Sequence, residues 1–428
     1  MPASRGNRVR AILLSLLAAS TAGCVVDEQR TEALREEREN APPTLPADPI
    51  ARPVISGTTA SRVSVSVESL GTVAYDGLSV PMVSPDGQFL ATQDSPAPPR
   101  DQRLATSGIS PSRGEHATVS IAPLKPGVGG FRTSVEVFDL EAPILLGRDT
   151  DVEGVLVESP RPDGTRWIGI ARWSEDAAGV RWLVREDSVS AHAVFAGNGA
   201  LLYCRRGAGE QRFSLVWRGR DGERRRLSLP DADLVFPLLA PDQRYATCLA
   251  VRDGGAIDIL LIDLTTRSGG DVGRVVRRWE LAASGGIPGA AQIVAASQSA
   301  VQGLSASDAL DDSAVAPTEA SLGPIFFHPA MDRCAAVDTS RRSLVAMAPK
   351  SVAAVDAGDG RALCSTPEGL VLWTPGPQAG RGTATRVLSE DYLPRRTASV
   401  ARPFVLFAPM RRSATELMVF GMAPASAR

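Results

Sequence analysis

Lysine is almost absent from this chain of 428 residues. Only Lys125 and Lys350 occur, and arginine carries the rest of the positive charge. With 46 basic and 48 acidic residues the net charge is -2, and no basic patch is interleaved with aromatics. A chain without that footprint is not built to hold nucleic acid. Histidine is equally scarce. His116, His192 and His328 stand far apart, with no H-E-x-x-H and no His-x-His pair. Turn and surface histidines are the plain reading, and a three-histidine metal site at a channel mouth is the alternative. No C-x-x-C is present, so thiol-redox and zinc-ribbon chemistry lack their minimal motif. There is neither a G-x-S-x-G elbow nor a glycine-rich phosphate loop. No metal or cofactor site and no catalytic residue is assigned. Long helical periods are missing as well.

What is present begins with an export signal. Arg5, Arg8 and Arg10 precede an apolar run from Ala11 to Ala19, too short to span a bilayer as a permanent helix. Thr21-Ala22-Gly23-Cys24 follows. This resembles a bacterial lipoprotein signal, with Thr21 where Leu or Val is usual. The resemblance implies that residues 1–23 are removed and that Cys24 becomes the lipidated N-terminus. An ordinary secretory signal cut near Ala22 or Gly23 is the other reading. Residues 24–55, charged at Arg35–Glu39 and proline-rich at Pro42-Pro43, read as a flexible tether.

From residue 56 onward short Val/Leu/Ile runs alternate with Gly, Pro and Asp turns, the pattern of an all-β protein. One device recurs: a turn feeding a short apolar strand. Ser84-Pro85-Asp86-Gly87 feeds Phe89-Leu90-Ala91, and Pro162-Asp163-Gly164 feeds Trp167–Ile170. Gly197-Asn198-Gly199 feeds Leu201–Cys204, Pro241-Asp242-Gln243 feeds Tyr245–Cys248, and Asp359-Gly360 feeds Ala362–Cys364. His328-Pro329 precedes Cys334–Val337. Closing strands such as Val135–Leu140, Ile259–Leu264 and Leu370–Trp373 end in polar turns.

These features resemble the WD40-like propeller repeats of the TolB and dipeptidyl-peptidase type, over roughly residues 57–422 and best in the first and fourth repeats. The resemblance implies a β-propeller of four-stranded blades around a channel. Units of about 40 residues, each unable to bury both faces alone, agree with it. Seven blades are expected, with six or eight as alternatives. The expected units are 81–146, 152–191, 194–233, 234–283, 324–356, 358–390 and 398–423. The alternating run Val63–Val67 is expected to complete the last blade and so remove an exposed edge. Two insertions, 93–115 and 284–322, interrupt the pattern; a bound partner could order either.

Three further groups of residues have a chemical and a structural reading. Cys204, Cys248, Cys334 and Cys364 each fall on the strand after a turn. Equivalent strands of neighbouring blades lie about 10 Å apart, beyond disulfide reach, so buried free thiols are expected. Asp149-Thr150-Asp151-Val152-Glu153-Gly154 places oxygens as a calcium loop does, but the twelfth place is Pro160, and a solvated turn is the simpler reading. Trp167, Trp173, Trp182 and Trp217 lie in neighbouring repeats and would either form a ligand platform or pack blades together.

The resulting expectation is a monomeric, lipid-anchored, extracytoplasmic propeller, in the periplasm or at the cell surface, that acts as a scaffold for an envelope protein or peptide. The alternative is a propeller-type lyase or glycoside hydrolase using channel-mouth carboxylates. Acids on separate blades leave no sequence signature.

Overall fold

A computed structural model describes residues 65–74, 81–94, 118–124, 135–137, 139, 142–173, 179–253, 256–265, 270–282, 322–328, 333–376, 381–390, 392–399, 402–409 and 416–424. The segments expected to be an export signal and a tether, Cys24, and most of both expected insertions lie outside these residues.

The regular structure of the described residues is β-strand, apart from one short 3-10 turn at Gly197–Gly199. β1 (Val65–Ala74) comes first and is placed last. β2 (Met82–Val83), β3 (Phe89–Asp94), β4 (Thr118–Pro123) and β5 (Val135–Val137) form one sheet. β6 (Leu145–Thr150), β7 (Gly154–Pro160), β8 (Arg166–Arg172) and β9 (Val180–Val184) form an antiparallel meander. β10 (Ser188–Ala196), β11 (Ala200–Gly207), β12 (Ser214–Arg218) and β13 (Arg224–Leu227) form another, and one parallel pairing, Val189 with Arg166, joins the two. β14 (Ala232–Leu239), β15 (Tyr245–Arg252), β16 (Ile257–Asp263) and β17 (Arg274–Ala282) follow. Then come β18 (Ile325–His328), β19 (Arg333–Asp338) and β20 (Ser343–Ala346), and next β21 (Ala353–Gly358), β22 (Arg361–Thr366), β23 (Gly369–Pro375) and β24 (Gly382–Leu388). The final sheet is β25 (Leu393–Arg396), β26 (Phe404–Pro409) and β27 (Glu416–Pro424), with β1 as its outer strand.

The sheets stand side by side and bury their faces against one another. Leu156, Ile168, Leu201 and Tyr203 fill the space between the two joined meanders. Leu202, Cys204, Leu234 and Cys248 fill the next, and Leu249, Ile259, Phe326 and Val337 the one after. Cys334, Cys364 and Trp373, then Leu363, Leu406 and Met422, continue the series. Leu70, Phe407 and Leu90 close it by packing the last sheet on the first, and Met82, Val119 and Val155 complete the circle. This ring of sheets around an axis is a β-propeller.

The expectation of seven separate four-stranded blades needs correcting. Hydrogen bonding gives five stand-alone sheets, of which β18–β20 has three strands, and one eight-stranded sheet made by the β8–β10 pairing. The unit boundaries also move. Leu145-Leu146 and Ala353–Asp356, expected to end units, instead open the innermost strands β6 and β21. Leu393–Arg396, expected between units, is the innermost strand β25. Innermost strands carry bulges and polar residues, so they lack the clean alternation by which strands are recognised.

The turn device forms as read. Gly87 N–H donates to the Ser84 carbonyl (2.8 Å), and Asp86 Oδ1 accepts from Gln88 N–H (2.9 Å) and from Ser84 Oγ (2.5 Å). Gly87 has φ +70°, where a side chain is strained. The turn also reaches the last sheet, since Ala398 N–H donates to the Pro85 carbonyl (2.6 Å). The N-terminal strand closes the ring as expected, over a longer span than the run Val63–Val67: β1 pairs antiparallel with β27 from Val65–Pro424 to Ala74–Glu416.

Candidate functional site in the central channel

Three consecutive innermost strands, β6, β10 and β14, lie side by side around the axis, with β10 between the other two. Each breaks register against its neighbour. Gly147, Arg148 and Asp149 bulge from β6 between Leu146 and Thr150. His192 and Ala193 bulge from β10, and Phe236 and Pro237 from β14. The local sequence explains two of these breaks. Pro237 has no N–H to give a ladder. Gly147 permits a backbone approach that a Cβ, 2.4 Å from the Leu156 carbonyl oxygen, would prevent. His192 and Phe236 adopt φ of 58° and 53°, in the left-handed region. Bulky residues rarely occupy it, and they cluster there at functional positions.

The bulges bring their side chains together. The Arg148 guanidinium carbon lies 3.8 Å from the centroid of the Phe236 ring, and the His192 ring lies 4.0 Å from the same centroid, tilted by 40°. Two groups this close to one centroid take opposite faces, so Phe236 separates the guanidinium from the imidazole. Arg148, Asp149 and His192 are surrounded by protein yet retain some solvent-accessible surface, as channel-lining residues do.

Two carboxylates hold this arrangement. Asp149 Oδ2 accepts from Phe195 N–H (2.8 Å), and its Oδ1 accepts from Thr150 N–H (2.9 Å). Glu158 Oε1 accepts from His192 N–H (2.6 Å), while Oε2 accepts from Arg166 Nη1 (3.2 Å). The bulge of β10 is therefore pinned from both sides by the preceding meander. Burial raises Asp149 to about 7 against the pull of its two N–H donors. Burial lowers Arg148 to about 9, with Glu158 opposing. Burial, then the positive Arg148 and Arg166, hold His192 well below its ordinary value, so its imidazole is neutral at physiological pH.

His192 is thus a channel residue and not the surface or turn histidine expected. His328 ends β18, and His116 lies outside the described residues. The calcium-loop segment is a turn: Asp151 Oδ1 accepts from Glu153 N–H (2.8 Å) and Gly154 N–H (3.0 Å), and Glu153 meets Arg181 at 2.5 Å. Among the described residues no group of three or more His, Cys, Asp or Glu is placed to hold a metal ion. The tryptophans do not form one platform. Trp173 stacks on Phe89 (6.2 Å) between the first two strand groups, and Trp217 packs against the core beneath β14. Trp167 and Trp182 meet edge to face at 5.7 Å under Arg161, which also binds Asp139 (2.8 Å). The four cysteines are buried free thiols on second strands, shared between two cores. Burial pushes Cys248 and Cys364 up to about 12 and Cys204 and Cys334 well upward, which leaves them protonated and unreactive.

Sequence reading missed Arg148 and Phe236 altogether. The only available signal was Phe236-Pro237 inside an otherwise apolar strand, which marks a bulge.

Fold and site together define a β-propeller with a cation and two rings gathered in its channel. No family model matches the chain, and no curated protein matches it. Solved structures to which it is similar include TolB from Acinetobacter baumannii, at 15% identity and a TM-score of 0.29, over 43% of this chain and 40% of that one. The chain thus spans less than half of that TolB. The WD40 domain of Toxoplasma gondii coronin is similar at 9% identity and a TM-score of 0.49, over 86% of this chain and 90% of that one. A Mycobacterium tuberculosis puromycin-hydrolyzing peptidase is similar at 14% identity and a TM-score of 0.42, over 82% of this chain and 51% of that one. The propeller assignment rests on the strand pairing and the closed circle of cores.

Proposed function

We propose that this protein is a lipid-anchored, extracytoplasmic propeller that binds a protein or peptide of the cell envelope at its channel. One observation carries the binding reading: both channel carboxylates, Asp149 and Glu158, already accept backbone N–H bonds, whereas Arg148 has no hydrogen bond or ion pair to any described residue. Both carboxylates are engaged in positioning the backbone of β10 and its neighbours, and neither is the group left open. A scaffold needs an unsatisfied group that a partner can complete. The export pattern at Arg5–Cys24 supports the envelope location and the anchor at Cys24.

Two measurements test this. Cys24→Ala should move the protein from the membrane to the soluble extracytoplasmic fraction, and continued membrane association would refute the lipid anchor. A photocrosslinking residue at Val152, 77% exposed in the turn after β6, should capture a protein in native envelopes. Capture of no protein, together with a sugar bound in glycan screening, would refute the scaffold.

A further inference from the structure

We propose that Arg148, His192 and Phe236 form a receptor for a single carboxylate, presented by an extended peptide. This rests on the binding reading above and names the chemistry recognised at that site.

Arg148 differs from four arginines that carry ion pairs. Arg161 meets Asp139 at 2.8 Å, Arg252 and Arg278 meet Asp258 at 2.9 and 2.5 Å, and Arg396 pairs with Asp356. Each brings its own counter-charge, which is what burial of a guanidinium requires. Arg148 has the face of Phe236 and, beyond ion-pair distance, the charge of Glu158, which already binds Arg166. Stacking on a ring orients the guanidinium plane and leaves its N–H edge free for a two-pronged bond to a planar anion. Across the ring, the His192 imidazole is neutral and likewise makes no side-chain hydrogen bond among the described residues. It can donate to a neighbouring group of the same peptide, on the far side of the ring from the carboxylate. The charge count sets the guest's valence. Arg166 and Glu158 offset one another at 3.2 Å, and Asp149 is turned to backbone N–H groups. Even with Asp149 protonated, as its burial favours, the excess is at most one positive charge, which suits a carboxylate better than a phosphate dianion. The strained backbone at His192 and Phe236 holds the two rings in place before any guest arrives, which lowers the ordering cost of binding.

Two peptide groups carry such a carboxylate, a C-terminus and an acidic side chain, and the probes separate them. The full chain is titrated calorimetrically with acetyl-Ala-Ala-Ala as the free acid, the same peptide as the amide, acetyl-Ala-Glu-Ala-amide, and acetate. Binding of the free acid at least tenfold tighter than the amide assigns a C-terminus. Equal binding of the Glu peptide assigns any peptide carboxylate. Arg148→Gln should weaken binding tenfold or more, and Arg148→Lys should weaken it less. Because Arg148 loses no hydrogen bond or ion pair to any described residue, and its burial as a cation is costly, Arg148→Gln should keep or raise the thermal midpoint, so lost binding is not lost folding. The proposal is overturned if acid and amide bind alike, if acetate binds as tightly as any peptide, if no peptide carboxylate binds, or if Arg148→Gln binds as well as the native chain. In those cases capture of the same protein from Val152 in native and Arg148→Gln chains leaves the scaffold reading standing, and capture of none removes both.

Discussion

Burial moves Asp149 and His192 in opposite directions, and their effects on stability oppose each other. Asp149 has a folded value of about 7, above the roughly 3.9 of an unfolded aspartate. Its contribution is fully present below about pH 4 and is lost as pH rises through 7. His192 is depressed from about 6.5, so its contribution is present above that pH and lost as pH falls through its folded value. The two trends overlap, so the native chain alone does not separate them. Asp149→Asn removes the first. The stability difference between native and Asp149→Asn chains should shift against the native chain between about pH 4 and 7 and stay level above that. Chemical denaturation at a series of pH values measures it, and a flat difference would mean that Asp149 ionises normally in the folded ring.

At the scale of the element, the turn-and-strand device sets the register on which the channel depends. Asp86 is exposed and accepts two bonds within its turn, so Asp86→Ala should cost about 1 kcal/mol in denaturant unfolding. No loss would mean that Pro85 and Gly87 define the turn unaided. Second strands and their turns were legible in sequence, because Pro, Asp and Gly punctuate them and their residues are uniformly apolar. Innermost strands were not. β10 was divided at His192, where its bulge sits, and β25 was left outside every unit. The channel residues share this obscurity. Arg148, His192 and Phe236 are far apart in sequence and meet only because three bulged strands stand side by side. Of the two carboxylates that position them, Glu158 left no signal and Asp149 showed only in a weak calcium-like run, which the structure divides between a pin for β10 and an ordinary turn.

For the whole molecule, the pairing of β1 with β27 does what no local contact does. Leu70 is completely buried between the last sheet and the first. Leu70→Ala should cost about 2–5 kcal/mol. A chain lacking residues 1–74 should run as soluble aggregates in size-exclusion chromatography, because the edge of β27 is left open. A monomeric, well-folded truncation would show that the ring does not need its latch. The same pairing also fixes a sequence of events. Val65 is made long before Pro424, its partner, exists, so the first strand to emerge is the last to be paired. Until then the blades form an open string, and contacts this distant in sequence are slow to close. Cys204, Cys248, Cys334 and Cys364 gain protection as their cores assemble between blades. For a chain exported as proposed, folding is therefore a race in which burial of these four thiols must outpace their oxidation.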